Sequence, residues 1–263
     1  MSSEASTLVE QAIAVVCNER EKDPLGSIPI DDMQGRLSIP VHSPEAVEGA
    51  RRAQQLLPIA RNLTIKSLRE LAVEHNFHRT RGYAARIQSA VRRVNAVKWI
   101  KPDVDSRDNA SVFLDRPQTI TFGTIFLVGL PSDEGMISVL SHELMHIADG
   151  NHDSLNRLFE TLGERASRLT GLEIHDQKAE ELACDLVGAM AARAFVASTP
   201  DYQPLARRIS RAVAHNCVVE DEGDEDHLSP RNTIRALFAL KPALARELVS
   251  GEEELFVPRR RRR

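Results

Sequence analysis

His142 and His146 stand four residues apart in the run Ser141-His142-Glu143-Leu144-Met145-His146, with Glu143 directly behind the first histidine. On a helix this spacing sends both imidazoles out of one face, close enough together to grip a single metal ion. Neutral imidazole suits Zn2+, and a coordination position left open makes such an ion a Lewis acid toward a carbonyl. Glu143 is then placed to accept a proton from an activated water and to hand it to a leaving amine. The chemistry these residue types spell out is hydrolysis assisted by one Zn2+ per chain.

A catalytic zinc needs a third protein ligand, and two residues qualify. Glu181 and Asp185, in Glu180-Glu181-Leu182-Ala183-Cys184-Asp185, are four apart and share a helix face. Glu181 can bind the ion while Asp185 accepts a hydrogen bond from a ligand histidine and fixes its tautomer. The apolar neighbours Leu182, Ala183, Leu186 and Val187 point to a packed helix. His152 is the other candidate, at the spacing of the third ligand in the metzincin pattern. That pattern needs glycine where this chain has Asp149, because the helix must stop there; Gly150 comes one place late. No Met-turn follows, since Met190 falls inside a helical stretch.

Over residues 90–245 the order of signals resembles the gluzincin peptidases of the HtpX and CAAX prenyl protease type. Asn109-Ala110 is similar to a pair that precedes the family's active-site strand, and residues 119–128 followed by Gly129-Leu130 resemble that strand. The His-Glu helix comes next, then the Glu181–Asp185 pair, which fits a Glu-x-x-x-Asp motif. His227-Leu228-Ser229-Pro230 with Ile234 and Leu237 resembles the segment before the family's last core helix.

The resemblance implies a zincin-like α+β fold, mainly helical, with a small β-sheet beside the active-site helix. It implies a zinc-dependent endopeptidase, with His142, His146 and Glu181 on the metal, Glu143 as base and Asp185 behind a ligand. Substrate would pair as a strand along the sheet edge at 119–128, which makes Thr121, Gly123 and Thr124 its binding residues. His227 would stabilise the oxyanion. Two departures stand out. Many relatives are membrane-embedded, and where relatives often carry arginine six places after the histidine this chain has Thr233, with Arg231 and Arg235 as the available substitutes. A catalytically silent or latent zinc-binding regulatory protein on the same scaffold is the alternative function.

Helical patterning is expected over 3–20, 44–59, 64–77 and 83–94, with loop between 23 and 44. The β-branched and aromatic segments 97–100 and 119–128 predict the sheet. Ser132 reads as an N-cap with Asp133 and Glu134 in the first turn, and that helix should run to Gly150. Further helices are predicted at 154–169, 176–197, 204–217 and 230–248. Three parts follow: an N-terminal helical region over 1–85, a metallopeptidase domain over 86–250, and a basic tail over 251–263 expected to be disordered.

Composition narrows the partners. With 263 residues, 42% apolar and 27% charged, the chain matches an ordinary globular protein, and its net charge of −4 gives no general attraction to nucleic acid or membranes. The partner implied is a peptide or protein substrate. Cys17, Cys184 and Cys217 are too few and scattered for a disulfide framework. No cationic stretch precedes residues 8–17 and no apolar run is long enough to span a bilayer, so a cytoplasmic protein is expected. The acidic run 220–226 and the arginines 259–263 read as a solvated loop and a frayed end.

Overall fold

Helix α5 (Asp133–Asp149) passes through the middle of the molecule, buried on nearly every side, and the other elements are arranged around it. The structure, a computed structural model, describes residues 3–22, 39–107, 109–113, 115–130, 132–150, 154–199 and 223–256. It is mainly helical with one three-stranded sheet. His152, the helix expected at 204–217 and the five terminal arginines lie outside the described residues.

Preceding α5 are α1 (Ser3–Lys22), α2 (Pro44–Glu74), α3 (Tyr83–Ala96), strands β1 (Trp99–Asp103), β2 (Ala110–Val112) and β3 (Thr119–Gly123), and the short α4 (Thr124–Gly129). After it come α6 (Asn156–Thr170), α7 (Asp176–Ser198), α8 (Pro230–Leu240) and α9 (Pro242–Phe256). Among the described residues no helix is long and apolar enough to cross a membrane.

Several elements depart from the sequence reading for identifiable reasons. The helices expected at 44–59 and 64–77 are one helix, α2, with Pro58 inside it. A proline there removes a hydrogen bond at a cost of about 3 kcal/mol. Burial of Ala53, Leu56, Leu57 and Ala60 on either side offsets it. The helix expected at 230–248 is instead two, because Lys241 precedes Pro242 and is pushed out of helical geometry, to φ −123 and ψ 70. Residues 251–256, expected in the tail, continue α9. Residues 119–128, expected as one strand, are a strand only to Gly123; the rest is α4.

The sheet has the order β1-β3-β2, with β1 parallel and β2 antiparallel to the central β3. The outer edge of β1 is closed by α2, whose Gln54 amide donates to Lys98 O at 2.9 Å and accepts from Ile100 N at 3.0 Å. That leaves β2 as the open edge among the described residues, and it is the strand that lies against α5.

One hydrophobic cluster runs from Val9 on α1 to Leu248 on α9 and includes Leu57, Leu68, Phe122, Leu140, Leu144, Phe159, Leu186 and Phe238. Helix α2 packs on both α5 and α7, so residues 1–85 share the core of residues 86–250, and the boundary at 85 falls inside α3.

Candidate metal centre

Two antiparallel helices, α5 and α7, build the centre. Helix α5 begins where Ser132 Oγ accepts from Gly135 N at 3.1 Å, with Asp133 and Glu134 in its first turn to meet the helix dipole. It ends at Gly150, whose φ of 68 with extended ψ is a conformation that glycine alone adopts readily. Arg93 on α3 closes that end, donating to the carbonyls of Ile147, Ala148 and Asp149 and to Ser154 Oγ. Helix α7 lies close enough that a Cβ on Gly188 would sit 2.7 Å from Ser138 O. Glycine is required at 188 for the two backbones to approach in this way.

At this separation three ligand atoms converge. His142 Nε2 is 3.2 Å from His146 Nε2 and 3.2 Å from Glu181 Oε2, and His146 Nε2 is 3.5 Å from Glu181 Oε1. A four-coordinate ion with bonds of about 2.1 Å sets its ligands about 3.4 Å apart along a tetrahedral edge. The two imidazole nitrogens fit that edge, and Glu181 reaches each of them through a different oxygen, Oε2 toward His142 and Oε1 toward His146. His142, His146 and Glu181 therefore form a group that can hold a metal ion.

The hydrogen bonding outside the group explains why these atoms face one another. His142 Nδ1 donates to Asp185 Oδ1 at 2.8 Å, and His146 Nδ1 donates to Glu180 Oε1 at 2.8 Å. With each ring proton on Nδ1, both neutral imidazoles turn the Nε2 lone pair toward Glu181. Three lone pairs aimed at one point repel unless a cation sits between them.

Without an ion the surrounding carboxylates favour a second proton on each imidazole, which a bound metal ion would displace. Burial works against charge on His142, but Asp185 and Glu181 outweigh it and hold the imidazole well above its ordinary range. For His146 burial again opposes, and the Glu180 and Glu181 carboxylates push it far upward. Burial would raise Glu181, yet the two imidazoles pull it well below the usual carboxylate range. The cluster is built around positive charge.

Glu143 is 5% exposed, lines the cleft and makes no hydrogen bond with any described residue. Burial raises its carboxyl above the ordinary value, with the neighbouring histidines opposing. Two hollows, of about 380 and 650 Å3, flank the centre and share Asn109, Ala110, His142, Glu143, Glu181 and His227.

His227 sits across the cleft in the turn before α8, with Nε2 3.8 Å from Glu181 Oε2. Asp224 orients it, accepting from His227 Nδ1 at 3.0 Å and from the backbone N–H of Asp226 and His227 at 2.8 and 2.7 Å. Part of the acidic run read as a solvated loop is thus a clamp on a cleft residue.

Thr121, Gly123 and Thr124, expected to bind substrate, lie in the lining of neither hollow. Strand β3 is central, paired on both sides; Thr121 sits between Lys101 and Ser111 at 7% exposure, and Thr124 is wholly buried. Gly123 is a glycine because Arg107 O lies 2.0 Å from where a Cβ would be. The strand that borders the cleft is β2, through Ala110, Ser111 and Val112. Thr233 itself lines the cleft; of the two suggested substitutes, Arg235 pairs with Glu10 and Asn232, and Arg231 is exposed and lines neither hollow.

Glu180 and Cys184 went unassigned in the sequence. Cys184 is buried, its sulfur 3.6 Å from His146 Nδ1, and burial pushes its thiol up. The available signal was the Glu180–Cys184 spacing of four, which repeats that of Glu181–Asp185 one residue earlier. No protein-family model, curated protein or solved structure matches the chain.

Proposed function

We propose that the protein is a zinc-dependent endopeptidase with a zincin-like active site. What supports the reading is the convergence of His142 Nε2, His146 Nε2 and the Glu181 carboxylate on one point, with the Glu143 carboxylate beside them and unpaired among the described residues. Zinc held by those three residues would polarise the scissile carbonyl and bring the pKa of a bound water down to about 7.

The chain's own residues supply the rest. Glu143 takes the proton from the attacking water on a carboxylate oxygen and passes it to the nitrogen of the departing amine. Its raised affinity for a proton suits both halves of that transfer. Asp185 and Glu180 hold the two imidazoles in the tautomer that leaves Nε2 free to bind. A substrate segment adds to the open edge of β2, where main-chain pairing aligns the carbonyl without demanding a particular side chain. His227, held by Asp224, stands on the far wall to donate to the carbonyl oxygen as charge develops there.

The test is Glu143→Gln. Zinc stoichiometry by elemental analysis should stay at one per chain while peptide cleavage falls by about 10²–10⁴-fold. Undiminished turnover would remove Glu143 as the base. Zinc bound by the native protein, with no chelator-sensitive cleavage of any peptide, would favour a regulatory metal-binding protein instead.

A further inference from the structure

We propose that the cleft selects peptides that carry a carboxylate close to an apolar side chain, and that Lys178 reads the carboxylate. This deepens the endopeptidase reading and rests on it. The 380 Å3 hollow beside His142 and Glu143 has an apolar wall of Phe126, Val139, Leu182 and Leu228. Val139 and Leu182 are 6% and 1% exposed, so that wall is fixed by the core behind it. The hollow has room for one branched or aromatic side chain.

Its charges are nearly all committed. Glu181 faces both histidines, Asp185 accepts from His142, and Asp224 accepts from His227 and two backbone N–H groups. Glu143 is the free carboxylate, and its task is proton transfer. Among the described residues Lys178 is the one lysine or arginine in the lining of either hollow. It makes no hydrogen bond or ion pair with any described residue.

Helix geometry puts Lys178 on the working stripe of α7, one turn before Leu182 and two before Asp185. It is half-buried in the lining beside Leu182, and a lysine so placed can pack its methylene stem on an apolar wall while its ammonium stays in contact with water. A carboxylate arriving there gains a charge-assisted hydrogen bond, whereas an amine meets like charge. That carboxylate comes from an acidic side chain or from a peptide's C-terminus, and the chemistry of recognition is the same.

The experiment is a binding titration by fluorescence anisotropy on zinc-loaded, full-length Glu143→Gln protein. The probes are matched fluorescein-labelled nonapeptides with one leucine and a glutamate, glutamine or lysine stepped along either side of it. A neutral peptide with a free or amidated C-terminus separates the two sources of the carboxylate. Glutamate peptides should bind about tenfold more tightly than lysine peptides. Adding Lys178→Glu should reverse the order and Lys178→Met should level it, a reversal that a merely structural lysine would not produce. Equal affinities for the three peptides, an order unchanged by Lys178→Glu, or no binding at all would overturn the inference. Cleavage of the same peptides by the native protein tests hydrolysis separately. Peptides bound in the Lys178-dependent order but left uncut sink the peptidase and keep the selection. Peptides cut without regard to charge do the reverse.

Discussion

Glu180 accepts from His146 Nδ1 at 2.8 Å, the counterpart of the 2.8 Å bond between Asp185 and His142. Because α5 and α7 run antiparallel, the earlier histidine meets the later carboxylate and the later histidine the earlier one. Three pairs at a spacing of four lie side by side: His142 with His146, Glu181 with Asp185, and Glu180 with Cys184. Each imidazole thus has a carboxylate behind it, and Glu181 lies between the two in front.

Removing either carboxylate should loosen the metal. Glu180→Ala and Asp185→Ala are each expected to weaken zinc affinity by about 10–100-fold, read by competition with a chromophoric chelator. Unchanged affinity in Glu180→Ala would mean that His146 is oriented by something other than this bond.

Gly188→Ala should push α7 away from α5, since the new methyl would fall 2.7 Å from Ser138 O. A stability loss of about 1–3 kcal/mol is expected in urea denaturation. The deficit should be larger with zinc present than with a chelator, because Glu181 moves with α7 while both histidines stay on α5. A deficit independent of zinc would show that the helices relax without disturbing the ligands.

Arg93→Met should strip the last carbonyls of α5 of their donors, costing about 1–3 kcal/mol by the same measurement. Lysine at 93 should recover only part of this, because a single ammonium cannot reach what the guanidinium fork spans. Full recovery by lysine would reduce the role of Arg93 to its charge.

His75 should make the fold sensitive to mild acid. It is 8% exposed, its Nε2 has no hydrogen-bond partner among the described residues, and burial, then the Arg165 charge, hold its imidazole below the ordinary value. A depressed pKa means that the unfolded chain binds the proton first. Its contribution is therefore intact above the unfolded pKa of about 6.5 and lost as pH falls toward the folded value. Between pH 7.5 and 5.5, roughly the window about that pKa, the native protein should lose stability faster than His75→Asn, by up to about 1.4 kcal/mol per pH unit. Parallel pH profiles would exclude His75 as the source.

The sequence made α5 plain because its signals are local: Ser132 at the start, Gly150 at the end and two histidines one turn apart all lie on one helix. The Glu181–Asp185 pair was legible for the same reason. What stayed hidden depends on pairing across distance. Residues 119–128 are apolar throughout, and such a run does not say that β3 stops at Gly123 or that β2 takes its outer side. The three residues of β2 are too few to show a period. Glu180 looked like one more surface acid until α7 was laid against α5, and the gap expected between 59 and 64 is bridged by a helix that buries Ala60 and Thr64.

The packing of α2 beneath both α5 and α7 has a practical consequence. A fragment cut at residue 86 would hold every ligand yet expose Leu57, Leu68 and their neighbours' partners on the undersides of the two ligand helices. Such a truncation should emerge as an aggregating polypeptide, so the smallest unit able to keep His142, His146 and Glu181 facing one another includes α2.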